Sequence, residues 1–326
     1  MTPPPDSPPG QPTGQPTGQS PGTPPGTPAE GDARPAAPCN NCGAPAQIEL
    51  FAAGRAQVHR IVRCAACGLM YADPLLASNL SHYLVPTESR APLDDDSPEV
   101  KRGRDKLPDY LATEPVLAGL LPGRGRVVEV GAYSGLLLEH FRRAGWSVLG
   151  IEPDGRGVDY AHRRFGIDVR QGTLQSVAVD PASIDAVLML HVIEHVDDPA
   201  ADVAAVARML RPGGVFVVET PTYDSLAFKL LGRRERSLAC EGHIYFYTEQ
   251  TLVALLRQAG FEPLHIQRVG RTMTVARLLW NLGVMSKSAA VQRAIDGFNA
   301  RFALTQRHLH LNARDMIRIY AQRRGG

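Results

Sequence analysis

Between Arg126 and Glu219 the chain alternates short apolar runs with amphipathic stretches. The apolar runs predict strands at Arg126–Val130, Ser147–Ile151, Asp168–Arg170, Ile184–Leu190 and Val215–Glu219. Near-continuous apolar runs of this length suit strands covered on both faces. The stretches between them predict helices at Gly135–Ala144, Gly155–Phe165 and Pro199–Leu210. Strand and helix in regular alternation give an α/β fold, a doubly wound parallel sheet with helices on both faces. A helix rich in leucine is expected from about Asp109 to Leu121, ending at Pro122-Gly123. A further helix, Thr248–Ala259, is followed by a strand, Glu262–Val269, and beyond Arg271 the pattern reads as helical to the end.

Upstream the texture is different. Residues 1–38 are half proline and glycine, with Gln-Pro-Thr-Gly repeated at 11–14 and 15–18. Such a segment has little apolar surface to offset its chain entropy, and disorder is expected for it. Residues 39–74 form a small module in which Ile48–Phe51 and Val58–Val62 read as a hairpin. A connector with some helix follows at 75–108, carrying prolines and the acidic run Asp94–Asp96. The main domain then spans 109–270, and a basic helical segment occupies 271–326.

Composition changes this picture in two places. The formal net charge is +2, yet from Arg268 onward there are eleven Arg or Lys against Asp296 and Asp315. That end carries +9 and the remainder −7, a balance suited to an acidic or nucleotide-linked partner or to a solvated helical face. His308 and His310 fall on this polar stretch and attract no role. No run approaches the roughly 18 apolar residues of a membrane-spanning helix. A basic region followed by an apolar run is also missing from the amino terminus, so the expected location is the cytoplasm.

Four of the five cysteines stand in two pairs, Cys39-Asn-Asn-Cys42-Gly43 and Cys64-Ala-Ala-Cys67-Gly68, separated by 21 residues. Each glycine permits the backbone turn that points amides at the thiolates. Four thiolates close a tetrahedral structural Zn²⁺ site, a zinc ribbon, in preference to a redox dithiol. Cys240 is left over and reads as a small buried apolar residue.

The first strand runs into Glu129-Val130-Gly131-Ala132-Tyr133-Ser134-Gly135, a small-residue turn before a helix. This brings backbone close to a ligand at the carboxyl end of a sheet. Glu152 ends the second strand 21 residues after Gly131, placed to accept hydrogen bonds from both ribose hydroxyls of an adenosine. A dinucleotide fingerprint requires a glycine where Tyr133 stands, and its pyrophosphate approach would be blocked. A cofactor without phosphates fits better.

The ordered set Glu129–Gly135, Gly150-Ile-Glu-Pro153, Asp185–Val196 and Leu210–Glu219 resembles the class I S-adenosylmethionine (SAM)-dependent methyltransferases. It is most similar to the branch that includes the ubiquinone-biosynthesis O-methyltransferases. The resemblance spans roughly 110–270 and implies the Rossmann-like sheet of that class. It implies that Glu129, Gly131, Ala132, Tyr133 and Gly135 wrap the methionine part of SAM, and that Glu152 and Pro153 hold the ribose. Gly172, Thr173 and Leu174 would border the adenine, with Leu190 and His191 beside the sulfonium. Tyr133 departs from the family's usual glycine. Similar ribbons, including the Cys67-Gly-Leu-Met-Tyr-Ala-Asp-Pro74 segment, precede methyltransferases acting on sugars and other biosynthetic small molecules.

A hydroxyl acceptor must lose its proton, to a general base or under a metal that lowers its pKa. His191, Glu194 and His195 follow the fourth strand, and His243 precedes a later helix. The set resembles the Glu-x-x-Glu-His plus distant His that binds a divalent metal in some enzymes of this branch, which implies Mg²⁺ or Mn²⁺ here. His191 stands where those enzymes have glutamate, and it is the first candidate for a general base. The expected reaction is methyl transfer to a hydroxyl of a sugar or other biosynthetic small molecule. An RNA methyltransferase gripping its substrate with ribbon and tail is the alternative. Arg55, Arg60 and Arg63 have little aromatic surface near them beyond Phe51, which argues against it. A non-catalytic SAM-fold scaffold is disfavoured by Gly131, Gly135 and Glu152.

Overall fold

The computed structural model describes residues 38–51, 60–73, 90–232, 238, 242–275, 278–279, 288–301 and 308–325. The Pro/Gly-rich segment to Ala37, Arg55, the start of the strand expected at Val58, connector residues 74–89 and Cys240 lie outside them.

The alternating pattern of 126–221 folds as β4 (Arg126–Val130), α3 (Leu136–Arg143), β5 (Ser147–Glu152), α4 (Gly155–Phe165), β6 (Val169–Gln171), β7 (Ile184–Leu190), α5 (Pro199–Met209) and β8 (Leu210–Pro221). Before it stand β1 (Gln47–Phe51), β2 (Arg60–Cys64), β3 (Met70–Asp73), α1 (Pro98–Leu111) and α2 (Thr113–Leu120). After it come α6 (Leu226–Leu231), β9 (Tyr245–Phe246), α7 (Glu249–Gln258), β10 (Phe261–Thr274), α8 (Ala289–Arg301) and β11 (His308–Arg323).

The large sheet has the order β10-β11-β8-β7-β4-β5-β6. From β8 to β6 all pairs are parallel, while β11 runs antiparallel to both neighbours. Successive strand residues point to opposite faces and fill two cores. Val128, Val130, Ile151, Val187, Met189 and Phe216 pack beneath α5 and α7, whereas Val127, Ala186, Leu188 and Val217 meet Leu117 of α2 and Leu137 and Phe141 of α3. Polar caps start the helices: Asp154 accepts from Arg156 N, Asp198 from Ala201 N, and Thr248 closes a capping box with Thr251.

Three expectations need correction. The segment beyond Arg271 is not helical to the end: α8 is, but 308–323 is a strand inserted between β8 and β10. Ile317, Ile319 and Ala321 go to one core and Tyr320 to the other, the period of two of a strand. Backbone partners on both sides decide the matter, and the parallel sheet is thereby completed by residues beyond 270. The helix expected over Asp109–Leu121 is divided at Ala112 into the end of α1 and all of α2, and α1, with proline in its first turn, supplies the helix expected within the connector.

The expected hairpin is present, β1 pairing antiparallel with β2, but the cysteine module extends beyond it. A third strand, β3, joins β1 and β2, and β9 from beyond the main sheet adds a fourth. Val62, Leu69 and Tyr71 share one continuous core with α5 and α7.

Candidate functional site

The turn after β4 is shaped by backbone. Gly131 has φ +76°, donates to the Ile151 carbonyl at 2.8 Å, and a Cβ there would sit 2.6 Å from Val192 Cγ2. Tyr133 also adopts a left-handed φ, +43°, so its backbone follows the path a glycine would take. Its ring turns to the cluster of Leu93, Val100 and Tyr160 under α1. That packing explains how a tyrosine replaces the family's usual glycine. Gly135 is the αL N-cap of α3, where a Cβ would press on Ala161 Cβ at 2.9 Å.

A cavity of about 600 Å³ opens at the carboxyl ends of β4, β5 and β7. Every cofactor-side candidate except Gly135 lines it: Glu129, Gly131, Ala132, Tyr133, Glu152, Pro153, Gly172, Thr173, Leu174, Leu190 and His191. Gly135 serves the helix start behind them. Glu152 accepts Tyr133 N–H and Asp154 N–H, each at 2.8 Å, one on each carboxylate oxygen. Each oxygen keeps a second lone pair for a ligand hydroxyl. Burial pushes this carboxyl up to about 7 against the two amides, which favour its charged form. Glu129 is buried, raised well above the usual range by burial and then by Glu152, and its Oε2 has no hydrogen-bond partner. An orphaned acceptor facing a cavity suits a ligand ammonium or hydroxyl.

The structure also brings Glu194, His195 and His243 together, with one ligand atom from each lying within 4.8 Å of the others; of the three, His195 lines the cavity. The rings of His195 and His243 meet edge-on at 4.6 Å. His195 Nδ1 is 2.9 Å from the Gly242 carbonyl, which fixes that nitrogen as the N–H and leaves Nε2 as the lone-pair donor. Burial pushes His243 down to about 4, so it is neutral, and its Nδ1 has no hydrogen-bond partner. Glu194 Oε2 accepts the Thr220 hydroxyl at 2.9 Å, while Oε1 receives no hydrogen bond. His243 Nδ1, His195 Nε2 and Glu194 Oε1, whose other neighbour is His191 Nδ1 at 3.5 Å, form a donor set that a divalent cation would satisfy.

His191 stands apart from this trio. It holds φ +57°, with Nε2 3.1 Å from Glu219 Oε1 and Nδ1 3.5 Å from Glu194 Oε1. Burial alone would lower its pKa, but the two carboxylates outweigh burial and hold it at about 9. Glu194 responds in kind: burial raises it, and His191, His195 and His243 bring it down to about 2. At neutral pH His191 is therefore an imidazolium with both nitrogens facing carboxylates.

Sequence reasoning missed several parts of this wall. Arg318 of β11, 1% exposed, donates through Nε to Glu219 Oε2 at 2.5 Å and through a terminal nitrogen to the Asp109 carbonyl. Tyr110 of α1 sets its ring 6.0 Å from that of His191. Glu219, a lone acid ending an apolar strand, was the available signal; Arg318 had none while its segment read as helix. Among the described residues of the basic carboxyl end, several arginines are paired within the chain. Arg268 pairs with Asp224 and Glu249, Arg271 with Asp315, and Arg324 with Glu262.

The four cysteines of the two pairs come together, their sulfurs within 4.8 Å of one another. Gly43 and Gly68 take φ +70° and +82°, and their amides close each turn on Cys39 and Cys64 carbonyls. At Cys64 the amides of Cys67 and Ala66 outweigh burial and pull the thiol down to about 7. The separations suit four metal–sulfur bonds of about 2.3 Å.

Residues 101–266 match the family described as "Methyltransferase domain". A ubiquinone biosynthesis O-methyltransferase of Cereibacter sphaeroides is 30% identical over 184 residues, 53% of this chain and 74% of that protein. One from Ruegeria pomeroyi is 32% identical over 183 residues, 53% and 71%. Among solved structures, an S-adenosylmethionine-dependent methyltransferase from Mesorhizobium loti has 21% identity, a TM-score of 0.44, and coverage of 64% of this chain and 96% of that one. The chain belongs to the methyltransferase domain family and is an S-adenosylmethionine-dependent methyltransferase.

Proposed function

We propose that the protein methylates a hydroxyl oxygen of a small biosynthetic molecule, with Glu194, His195 and His243 holding a divalent cation beside the acceptor. The observation that carries this reading is the trio itself, three ligand atoms within 4.8 Å of one another, with His195 lining the cavity that the cofactor turn also lines. The O-methyltransferase names of the relatives support oxygen as the target. Bound SAM supplies an electrophilic methyl on a sulfonium. A cation at the trio supplies Lewis acidity that lowers the acceptor hydroxyl's pKa. Two imidazoles with one carboxylate suit Mn²⁺ better than Mg²⁺.

The chain's own residues do the rest. Gly131 to Tyr133 bring backbone against the methionine part, Glu152 accepts from the ribose hydroxyls, and Gly172 to Leu174 border the adenine. His191 is a positioning residue: as an imidazolium it fixes Glu194 and Glu219 and has no lone pair to serve as base at neutral pH. Arg102 and Lys106 of α1 lie at the cavity wall and favour an acidic or nucleotide-linked acceptor. The four cysteines hold structural Zn²⁺, consistent with a reducing cytoplasm.

The test is methyl transfer from labelled SAM to a pool of hydroxyl acceptors. Activity is expected to vanish with a chelator and return with Mn²⁺. Chelator-resistant activity with an inflection near pH 9 would instead make His191 the base.

A further inference from the structure

The four-cysteine turn touches the methyltransferase core at points that bracket the acceptor trio. Asn40, between Cys39 and Cys42, donates through Nδ2 to Asp198 Oδ1 at 2.9 Å and accepts Ala200 N–H at 3.0 Å. It thus adds a second cap to α5, a few residues after His195. Asn41, 3% exposed, donates to the Thr251 carbonyl at 2.9 Å in the first turn of α7. Its neighbour β3 pairs with β9 through Met70↔Phe246 and Tyr71↔Tyr245, and Ala72 N donates to the Ile244 carbonyl at 2.9 Å. Ile244 directly follows His243. The two halves of the trio are then tied to each other: Ile244 N–H and Tyr245 N–H both donate to the Glu194 carbonyl, at 2.8 and 3.3 Å. Tyr245 also donates its hydroxyl to the Asp197 carbonyl at 3.0 Å.

We propose that the four-cysteine knuckle is a positioning element of the acceptor site. Through Asn40, Asn41 and β3 it clamps the His243 strand against the Glu194–His195 turn. His243 comes from a segment remote in sequence from Glu194, so chain proximity does not set the register between them. The register between the two halves is set instead by a sheet whose other end is the metal-binding turn. Zinc at the cysteines fixes Asn40 and Asn41, these fix the starts of α5 and α7, and β3 fixes β9. The cofactor turn at Gly131–Tyr133 rests on β5 and shares none of these links. The inference rests on the trio being the acceptor site.

Amide exchange on the full-length protein tests the clamp, with SAM calorimetry and Mn²⁺ binding by electron paramagnetic resonance alongside. Cys42→Ser and Asn40→Ala are expected to speed exchange about tenfold or more at Ile244 and Tyr245 and to weaken Mn²⁺ binding. Protection in 126–130 and 147–152 and SAM affinity should hold within about twofold. Cys42→His, which keeps a zinc ligand, should restore both readouts. Asn40→Ala leaves all four thiolates in place and so separates the clamp from loss of the zinc site. Unchanged protection at Ile244 after zinc release would overturn the proposal. So would uniform loss of protection accompanied by loss of SAM affinity, since the knuckle would then be a general stabiliser. Wild-type protein that shows the exchange pattern without binding Mn²⁺ would defeat the metal reading of the trio and leave the clamp standing.

Discussion

The two walls of the cavity are built in different ways. The cofactor wall is one continuous turn and one strand end, Gly131–Gly135 and Glu152, held by backbone amides and by glycines that a Cβ would disrupt. The proposed acceptor side presents Tyr110, His191 and His195 to the cavity and is backed by the ends of β7 and β8, the segment before β9, and β11. Its order comes from a buried charge chain, Arg318–Glu219–His191–Glu194, with alternating signs. A backbone-built site tolerates side-chain change, as Tyr133 shows. A charge-built site does not, because each deleted partner leaves a buried charge uncompensated.

The sharpest break is therefore at Arg318. Arg318→Met should destabilise the protein by about 3–5 kcal/mol, since Glu219 loses a buried partner; chemical denaturation measures it, and a change under about 1 kcal/mol would sink the charge-chain account. Next comes the trio. His243→Ala should lower turnover about 10²-fold, with SAM affinity unchanged by calorimetry. If the two parameters fell together, the walls would not be independent.

On the cofactor side, Glu152→Ala should weaken SAM binding by one to two orders of magnitude, roughly 1.5–3 kcal/mol. A smaller effect follows from its titration. On the proposed reading the ribose hydroxyls are accepted by the Glu152 carboxylate, and burial holds that group at about 7. SAM affinity should thus fall as pH drops below 7, by up to about tenfold per unit, and Glu152→Gln should flatten the profile.

The smallest effect concerns His191. Its folded pKa of about 9 lies above the ordinary 6.5, so its charge stabilises the fold fully below 6.5 and the benefit is lost as pH rises through 9. Tm should decline across that window in the wild type and stay level in His191→Gln.

Residue order alone determined the parallel sheet, the cofactor turn, Glu152 and the pairing of cysteines at ligand spacing. Each is local: apolar runs of strand length, glycines at left-handed positions, thiols two residues apart. The sequence also named all members of the trio, through a motif and a distant histidine. Only the tertiary structure decided what surrounds them. β11 is a strand because β8 and β10 offer backbone partners on both sides, which no periodicity among arginines reveals. His191 is an imidazolium because Glu219 ends a neighbouring strand and Arg318 reaches it from 99 residues away. The cysteine module shares its core and its fourth strand with the methyltransferase sheet because β3 and β9, far apart in the chain, pair edge to edge. Local conformation follows from local residues; the charge of a buried group follows from neighbours that only folding supplies.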